Sequence, residues 1–598
     1  MSMFLRTALG EGTYEASAWE LLKRVAGDLS RYAALIAVIT ASIVAYTVTS
    51  LAAPYVLGLI IDHYILTADV AGLAAMSGIY LGLLLGQWAS MMARTYSIQT
   101  VGQLYLRDLR LAVFKKLQSL NLSFYTRRRI GDLISVTIND TSTLNDVLVS
   151  GILSVLGDMI SLAGIVAVMA YVSPPLTLVA LANVPLLIII ARIFGRRLRS
   201  AYRVTRRKVA EATAVVEESV AGVEVIKAFG RERDVVDSFR GVSAETATAY
   251  VRVAKLMGLF WPSMDLATAL STVAVVVYGA YLVGAGAISI GMVIAFIQYV
   301  NRMSRPITQF INMYDSLQAA LAAAERIYGV LDSEEAEADE AGAIELKDVE
   351  GRVELDDVWF WYEPGKPVLK GVSFRVEAGE VVALVGRTGA GKTTIANLIM
   401  RFYTPQKGFV RVDGIDTRRA RLRSLRARIA YVPQETYLFP GTVMDNIRLG
   451  RPGASDEEVV EVCKALGIHS FIERLPRGYM TDAGEAGKRL STGEKQLIAI
   501  ARAMLKNPAI VILDEALSSV DPATEAMIRN AMRKLLKGRT GIVIAHRLNT
   551  AREADRVIVI EGGRVVEEGT HDELMRRGGL YHRLYEEMLR AAAEVVAP

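Results

Sequence analysis

Residues 386–393 read Gly-Arg-Thr-Gly-Ala-Gly-Lys-Thr, and they follow directly on the apolar run 381–385. An apolar run that leads into a glycine-rich loop predicts a buried strand followed by a helix. The glycines let backbone N–H groups face a polyphosphate, Lys392 reaches the outer phosphates, and Thr393 offers a hydroxyl to Mg²⁺. The sequence therefore predicts a nucleoside triphosphate site, and a glycine-rich turn with a chance lysine is the alternative. The nucleotide-binding residues predicted in this loop are Gly386, Arg387, Thr388, Gly389, Ala390, Gly391, Lys392, Thr393 and Thr394.

A second apolar run, 509–513, ends in Asp514 and Glu515. Such a run is typical of a buried parallel strand, whose carboxyl end would place both acids beside the phosphate loop. Asp514 is then predicted to help hold Mg²⁺, and Glu515 to polarise an attacking water. The alternative is a simple helix N-terminus, which also favours acidic residues.

The composition indicates a membrane protein with an attached globular domain. The chain has 598 residues, 52% of them hydrophobic, and a mean hydropathy of +0.31, which is too apolar for an ordinary soluble protein. Long apolar stretches with at most one charged residue predict six transmembrane helices, and buried helices of a large soluble core are the alternative. These stretches are 33–61, 72–93, 147–172, 176–191 and 256–287, with a sixth that starts near Ile288 and becomes polar after Asn301.

The loops between these stretches predict the orientation in the membrane. Three connections, 62–71, 173–175 and 284–287, contain no Lys or Arg, whereas 104–129 and 192–208 are crowded with them. Basic loops stay in the cytosol, so both termini and the nucleotide domain are predicted to be cytosolic, with the chain in the cytoplasmic membrane. The net charge of +5 fits lipid-facing and cytosolic loops. A nucleic-acid partner is not expected.

An acidic stretch, 332–340, interrupts the apolar pattern and predicts a solvated linker. It divides the chain into a transmembrane domain at 1–331 with an amphipathic helix at its start, a linker at 332–350, and an ATPase domain at 351–598. The predicted fold class is thus a membrane all-α domain of six transmembrane helices followed by an α/β P-loop ATPase domain.

The order and spacing of these motifs resemble those of ATP-binding cassette (ABC) exporters of the half-transporter kind, over nearly the whole chain. In that resemblance Tyr362 stands where an aromatic ring stacks on adenine, Gln434 where a glutamine senses Mg²⁺, and His546 where a histidine contacts the γ-phosphate. The resemblance implies ATP and Mg²⁺ as ligands. It also implies Thr393, Gln434 and Asp514 as metal ligands, and Glu515 with His546 as the catalytic pair. The implied function is ATP-driven export, or flipping to the outer leaflet, of amphiphiles such as drugs, lipids or peptides.

The segment 490–496 occupies the family's signature position, and it departs from the family pattern Leu-Ser-Gly-Gly-Gln. Ser491 and Gly493 match, but Thr492 replaces a glycine and Glu494 replaces the glutamine. The resemblance implies that these residues bind the ATP held by a second subunit at a helix N-terminus. A side chain and a carboxylate there should weaken transition-state stabilisation. We therefore expect a heterodimer with a second half-transporter that bears the full signature, and a homodimer is the alternative.

Charged residues within or next to the apolar stretches are candidates for a substrate cavity. Asp158 and Asp265 lie in the third and fifth stretches, and Arg302 and Arg305 lie on the sixth. The two arginines favour an amphiphile with an acidic head, although apolar walls suit drugs or peptides equally. Three rival functions stay open: a homodimeric lipid flippase, an importer with an exporter fold, and a nucleotide-gated channel.

Overall fold

Six long helices dominate the amino-terminal half of the chain in a computed structural model that describes residues 18–514, 521–545 and 548–596. The predicted apolar stretches lie largely within them, although 176–191 begins in the shorter helix Pro174–Leu181 and 147–172 begins in a π-helical turn. Their bounds are Ala33–Ile60, Val70–Ser119, Ile152–Val172, Val184–Ala221, Glu232–Gly284 and Ile290–Leu331. Among the described residues, five helical stretches are long and apolar enough to cross a membrane. The helix Ile290–Leu331 is not one of those five, and it becomes polar from Asn301 onward, as the sequence predicts.

Shorter helical elements lie between the long helices. The helices are Ala18–Leu29, Leu122–Thr126, Ile130–Ser135, Thr141–Leu144, Pro174–Leu181 and Val223–Ala228, with π-helical turns at Ile61–Ile65, Val136–Asp140 and Asn145–Gly151 and a 3₁₀ turn at Ser30–Tyr32. The first helix is amphipathic, because Leu21 and Val25 are buried while Trp19 is 75% exposed. Arg24 on this helix pairs with Asp332 at 2.5 Å, which holds the helix against the end of Ile290–Leu331.

The core of the membrane unit is formed by apolar residues from different long helices. Met169, Val275 and Phe296 lie in one buried cluster, and they come from the third, fifth and sixth long helices. Some polar groups buried inside the unit are hydrogen-bonded to one another, which offsets part of the cost of their removal from water. Thr47 and Ser161, for example, lie 3.0 Å apart.

Two β-sheets organise the carboxyl-terminal half. A four-stranded antiparallel sheet has the order β2-β1-β4-β5, and a six-stranded sheet has the order β10-β9-β3-β8-β7-β6. Strands β9, β3, β8, β7 and β6 are parallel neighbours, and β10 is antiparallel at the edge. The strands are β1 Val353–Phe360, β2 Leu369–Val376, β3 Val381–Val385, β4 Lys407–Val412, β5 Ile415–Asp416, β6 Ile429–Val432, β7 Ile510–Asp514, β8 Thr540–Ile544, β9 Arg556–Glu561 and β10 Arg564–Gly569.

Helices cover the parallel sheet, so its strands are buried on both faces and contain almost only apolar residues. The described helices of this half are Lys392–Ile399, Leu422–Arg428, Val443–Arg448, Asp456–Leu466, His469–Glu473, Thr492–Lys506, Pro522–Leu536, Leu548–Glu553, His571–Arg577 and Leu580–Val596, with 3₁₀ turns at Gly478–Met480 and Glu485–Gly487. The predicted strands 381–385 and 509–513 are both present, the second shifted by one residue.

The acidic segment between the halves is extended, and its carboxylates are paired rather than only solvated. In an extended chain, alternate residues point to the same side. Glu335, Glu337 and Asp339 alternate in this way. Their partners are Arg127, Arg426 and Arg401 respectively. The chain divides into two compact units near this segment: one contains the chain up to Gln118 with Arg128–Glu334, and the other contains Ser119–Arg127 with the chain from Glu335 onward.

Candidate nucleotide site

The glycine-rich loop joins β3 to the helix Lys392–Ile399, in the strand-to-helix arrangement that the sequence predicts. A Cβ atom at Gly386 would come within 2.2 Å of the carbonyl oxygen of Ile560. Gly391 caps the helix with a φ of +104°, in the left-handed region, and a Cβ there would lie 2.6 Å from the Leu369 side chain. The local path of this loop therefore requires glycine at both positions.

Lys392 lies inside the loop rather than on its surface. It is 5% exposed, and its Nζ donates hydrogen bonds to the carbonyl oxygens of Gly386 at 2.6 Å and Arg387 at 3.1 Å. Burial lowers the pKa of the Lys392 amine, and the negative charge of Asp514 opposes this shift. The loop thus holds a partly buried cation at the N-terminal end of a helix, which is the arrangement that attracts phosphate.

The carboxylate of Asp514 is brought to the same place by sheet topology. Strands β3 and β7 flank β8 in parallel register, so their carboxyl ends meet at one edge of the sheet. The Thr393 hydroxyl donates to Asp514 Oδ2 at 3.2 Å. Two of the three predicted metal ligands, although 121 positions apart in sequence, are therefore in contact.

The residues at this edge fit a magnesium ion that arrives with its nucleotide. Thr393 and Asp514 supply hydroxyl and carboxylate oxygens, which are ligands that Mg²⁺ prefers. In the part of the chain that the structure describes, no group of three or more His, Cys, Asp or Glu side chains could hold a metal by itself. An ion here would complete its coordination with water and phosphate oxygens, as Mg²⁺ commonly does.

Tyr362, the predicted adenine-stacking residue, is 48% exposed and has a fixed ring plane. Its hydroxyl lies 3.1 Å from Thr394 Oγ1, just inside the helix that follows the loop. The rings of Phe360 and Tyr403 lie perpendicular to it, with centroid distances of 4.8 and 5.1 Å. Because two rings pack against it and about half of its surface is exposed, Tyr362 can offer a flat face to a planar base.

The signature segment begins the helix Thr492–Lys506. Ser491 is the N-cap, accepting from the backbone N–H of Glu494, and the Glu494 carboxylate accepts from the backbone N–H of Ser491 at 2.7 Å. This reciprocal pair is a capping box, in which glutamate is a favoured residue. Glu494 therefore has a local structural role. Thr492 is exposed at the first position of the helix, and Gly493 is buried.

Other predicted site residues lie on loops or outside the described residues. Gln434 is exposed, two residues beyond the end of β6. Glu515 and His546, the predicted catalytic pair, lie outside the described residues. Their neighbours Asp514 and Ala545 are described, and both are buried next to the ends of adjacent parallel strands.

Known proteins match this chain along most of its length. Residues 35–307 match the ABC transporter transmembrane region, and residues 369–518 match the family described as ABC transporter. A fatty acid ABC transporter ATP-binding/permease protein of Mycobacterium bovis is 39% identical over 512 residues, covering 86% of this chain and 80% of that one. The chain belongs to the ABC transporter family. An ATP-dependent lipid A-core flippase of Syntrophus aciditrophicus is also similar, at 35% identity over 81% of each chain.

The fold agrees with this assignment. The structure of a bacterial Atm1-family ABC exporter with ATP bound aligns with 92% of this chain and 98% of that chain, with a TM-score of 0.76 and 30% identity. This ABC transporter thus has the predicted membrane helical domain followed by an ATP-binding domain, and it is an ATPase that drives transmembrane movement.

The membrane unit of the transporter contains a polar cavity of about 460 Å³. It is lined by residues of the first, second, third and sixth long helices, and two predicted cavity residues, Asp158 and Arg302, are among them. Arg94 pairs with Asp158 at 3.2 Å, with only 12% and 18% of the two side chains exposed. Arg302 donates to the carbonyl oxygen of Ser50 at 2.5 Å.

Of the other two predicted cavity residues, one lies elsewhere and the side chain of the other is not described. Asp265 is exposed on the fifth long helix and does not line the cavity. The side chain of Arg305 lies outside the described residues. Sequence reasoning missed Arg94, because the second apolar stretch was taken to end at residue 93. The helix in fact continues unbroken to Ser119. Arg94 could have been found by following the helical periodicity beyond the first charged residue.

Proposed function

We propose that this ABC transporter exports amphiphiles with an acidic head group across the cytoplasmic membrane, or flips them from the inner to the outer leaflet. The observation that carries the proposal is the polar cavity among the long helices. Arg94 and Arg302 bring two guanidinium groups to one space and Asp158 brings one carboxylate, which leaves one net positive charge. A charged group at membrane depth is costly, so charged groups found there commonly line a substrate or ion pathway.

The names of two relatives support a lipid-like substrate. The relative of Mycobacterium bovis is named for fatty acid, and that of Syntrophus aciditrophicus for lipid A core. The cavity is lined by polar side chains such as Arg94, Gln87 and Asn301 and by apolar ones such as Met91 and Ile165. Such a surface suits a polar head with an adjoining chain.

The energy for this movement comes from ATP held at the phosphate loop. Lys392 would contact the outer phosphates, and the backbone N–H groups of the loop would donate hydrogen bonds to them. Thr393, Asp514 and Gln434 would hold Mg²⁺, which when bound offsets negative charge on the phosphates. Glu515 would orient the attacking water and His546 would contact the γ-phosphate.

The transporter is proposed to act as one half of a heterodimer. The support is Thr492, because a side chain in the first turn of the signature helix hinders close contact between a phosphate and the backbone N–H groups. The capping box gives Glu494 a local reason to be present, so Thr492 alone now supports an asymmetric pair. Co-purification from the native membrane, followed by mass spectrometry, tests this point: a second, similar subunit supports it, and recovery of this chain alone supports a homodimer.

The basic loops support an orientation in which both termini and the ATPase domain, 351–598, are cytosolic. Transport into inverted vesicles tests the direction of movement. Uptake of the amphiphile into such vesicles on addition of ATP is the expected result. ATP-driven release from preloaded vesicles would support an importer, and ion conductance without substrate-stimulated turnover would support a channel.

The substrate class is tested with purified transporter in liposomes. We expect a long-chain carboxylate to stimulate ATP turnover and a long-chain amine of equal length to have no effect. Arg302→Gln should raise the half-saturating carboxylate concentration about tenfold, because a hydrogen bond to a charged group is lost. Arg192→Gln, which alters an exposed arginine outside the cavity, is the matched control. Equal stimulation by the amine, or an unchanged Arg302→Gln, would contradict the proposed substrate class.

A further inference from the structure

The side chain of Gln309 holds a buried hydrogen-bond acceptor in the membrane unit. Among the residues that the structure describes, no group donates a hydrogen bond to its carbonyl oxygen, Oε1. Gln309 lies on the helix Ile290–Leu331 and lines the polar cavity of about 460 Å³. A buried acceptor without a donor costs free energy, so native proteins leave few of them. A donor brought into this cavity by a ligand would remove that cost.

The guanidinium groups of the same cavity are held by acceptors of the protein. Arg94 donates to the carbonyl oxygen of Ser154 at 2.8 Å and to the carboxylate of Asp158 at 3.2 Å. Arg302 donates to a backbone carbonyl oxygen of the first long helix at 2.5 Å. These bonds fix the cations in place, and each guanidinium has five N–H groups, so donors are left for an acidic ligand. The cavity thus offers Gln309 Oε1 as an acceptor beside fixed cationic donors.

Arg302 and Gln309 occupy the same face of the helix Ile290–Leu331. Together with Pro306 they follow the spacing i, i+4, i+7, which places side chains on one side of a helix, and all three line the cavity. From Arg302 to Gln309 the helix advances by roughly 10 Å. An acidic group bound by Arg302 and a donor bound by Gln309 would therefore belong to different parts of one head group, several bonds apart.

Pro306 adds a second acceptor to this face. Proline has no backbone N–H, so the carbonyl oxygen of Arg302, one turn earlier, lacks the donor that a regular helix supplies. An acceptor of this kind on a residue that lines the cavity is open to a donor from a ligand. The face thus suits a head group that both carries negative charge and donates hydrogen bonds.

We propose that Gln309 determines head-group specificity by accepting a hydrogen bond from a hydroxyl of the substrate, so that the preferred amphiphile has an acidic head that also carries a polyol, as a phosphoglycerol group does. The inference rests on the proposed function, in which this cavity binds an acidic amphiphile, and it narrows that class. The acidic group binds the guanidinium groups, and a hydroxyl several bonds away donates to Gln309 Oε1. A head without the hydroxyl leaves that oxygen without a donor and is disfavoured.

Three short-chain lipids with the same acyl chains separate the two requirements. Phosphatidylglycerol has the negative charge and the hydroxyls, phosphatidylethanol has the charge alone, and monogalactosyl diacylglycerol has hydroxyls alone. Each is titrated calorimetrically into the full transporter in phosphatidylcholine nanodiscs without nucleotide, so that binding is measured apart from turnover. We expect wild type to bind phosphatidylglycerol about tenfold more tightly than phosphatidylethanol. The uncharged galactolipid should bind at least about tenfold more weakly than phosphatidylglycerol, since it lacks the charge-assisted bonds.

Gln309→Leu removes the acceptor and nearly keeps the size of the side chain. It should reduce the preference for phosphatidylglycerol over phosphatidylethanol to less than about twofold, chiefly by weakening the binding of phosphatidylglycerol. Gln318→Leu is the matched control, because Gln318 is exposed on the same helix and does not line the cavity, and it should keep the wild-type preference. Gln309→Glu keeps an acceptor, so it should keep the preference while its charge weakens the binding of both acidic lipids. This variant decides the matter if Gln309→Leu fails to fold.

The outcomes distinguish this inference from the proposed function. Equal binding of phosphatidylglycerol and phosphatidylethanol by wild type, an undiminished preference in Gln309→Leu, or a lost preference in Gln309→Glu would overturn the role of Gln309 and leave the acidic substrate class intact. If the galactolipid binds as tightly as phosphatidylglycerol and Gln309→Leu weakens both, the acidic class is wrong and the hydroxyl contact stands. If none of the three lipids binds, both proposals are wrong.

Discussion

The phosphate loop and the membrane cavity both contain positively charged side chains, but they hold that charge differently. The Nζ of Lys392 is held by carbonyl oxygens of its own loop, within six residues of chain. Arg94 is held by two groups of another helix, the carbonyl oxygen of Ser154 and the carboxylate of Asp158, which lie 60 and 64 positions away. The loop therefore presents a cation whose position is set by local backbone. The cavity presents a cation, Arg94, whose positive charge is partly offset by the carboxylate of Asp158.

This difference suits the two ligands. A polyphosphate is the same in every cycle, so a fixed cation and fixed glycines serve it well. The proposed amphiphile would have to bind and then leave, so a cation whose charge is shared with a nearby carboxylate would be better matched to it. We expect substitutions in the loop to have large effects on turnover, and those in the cavity to have smaller effects whose sign depends on the residue.

Removal of the fixed cation should have the largest effect. Lys392→Ala takes away the charge held inside the loop, and we expect ATP turnover to fall by about 100-fold or more. Steady-state phosphate release from purified transporter measures this. Lys464→Ala, which alters an exposed lysine on the helix Asp456–Leu466, should leave turnover unchanged. If the turnover of Lys392→Ala stays within tenfold of wild type, the large contribution that we assign to this buried cation is wrong.

Filling the glycine path of the loop should have the next largest effect. In Gly386→Ala, the added Cβ would meet the Ile560 carbonyl oxygen at 2.2 Å, so the loop must move. We expect ATP affinity to fall about tenfold and stability to fall by about 2 kcal/mol, measured by nucleotide titration and denaturant unfolding. Gly241→Ala adds a methyl group in open space on a helix, so it should reduce neither ATP affinity nor stability. Similar results for the two variants would contradict the close approach at Gly386.

Removal of the Asp158 carboxylate should strengthen the binding of an acidic amphiphile, whereas Arg302→Gln should weaken it. Asp158→Asn keeps the shape but frees the charge of Arg94, so we expect the half-saturating concentration of an acidic amphiphile to fall about fivefold. Carboxylate-stimulated ATP turnover measures the change. Asp265→Asn is the control, since that exposed carboxylate does not line the cavity. Weaker binding in Asp158→Asn would mean that Asp158 itself contacts the substrate.

The smallest effect is expected at the signature helix. Thr492→Gly opens the backbone of the first turn, and we expect turnover to rise two- to threefold, because closer approach of the phosphate strengthens the contact. Glu494→Gln should change little, since an amide oxygen can replace the carboxylate in the capping box. Turnover that falls in Thr492→Gly would show that the threonine is an adapted residue, and the argument for a heterodimer would be lost.

Much of the fold followed from patterns along the chain. Apolar stretches predicted the long helices, and the short apolar runs 381–385 and 509–513 predicted parallel strands, because a strand covered on both faces must be apolar throughout. The acidic linker was predicted less completely. Its charge indicated exposure, but the arginines that pair with Glu335 and Glu337 lie 208 and 89 positions away, and no local pattern points to them.

For this protein, the sequence by itself determined the phosphate loop, since eight consecutive residues contain both the glycines and the cation that the site needs. The tertiary structure alone decided which membrane charges share a cavity, placing Arg94 with Asp158 and Arg302 and leaving Asp265 outside. The physical reason is that backbone geometry is encoded locally, whereas contacts between distant helices and loops depend on how whole elements pack.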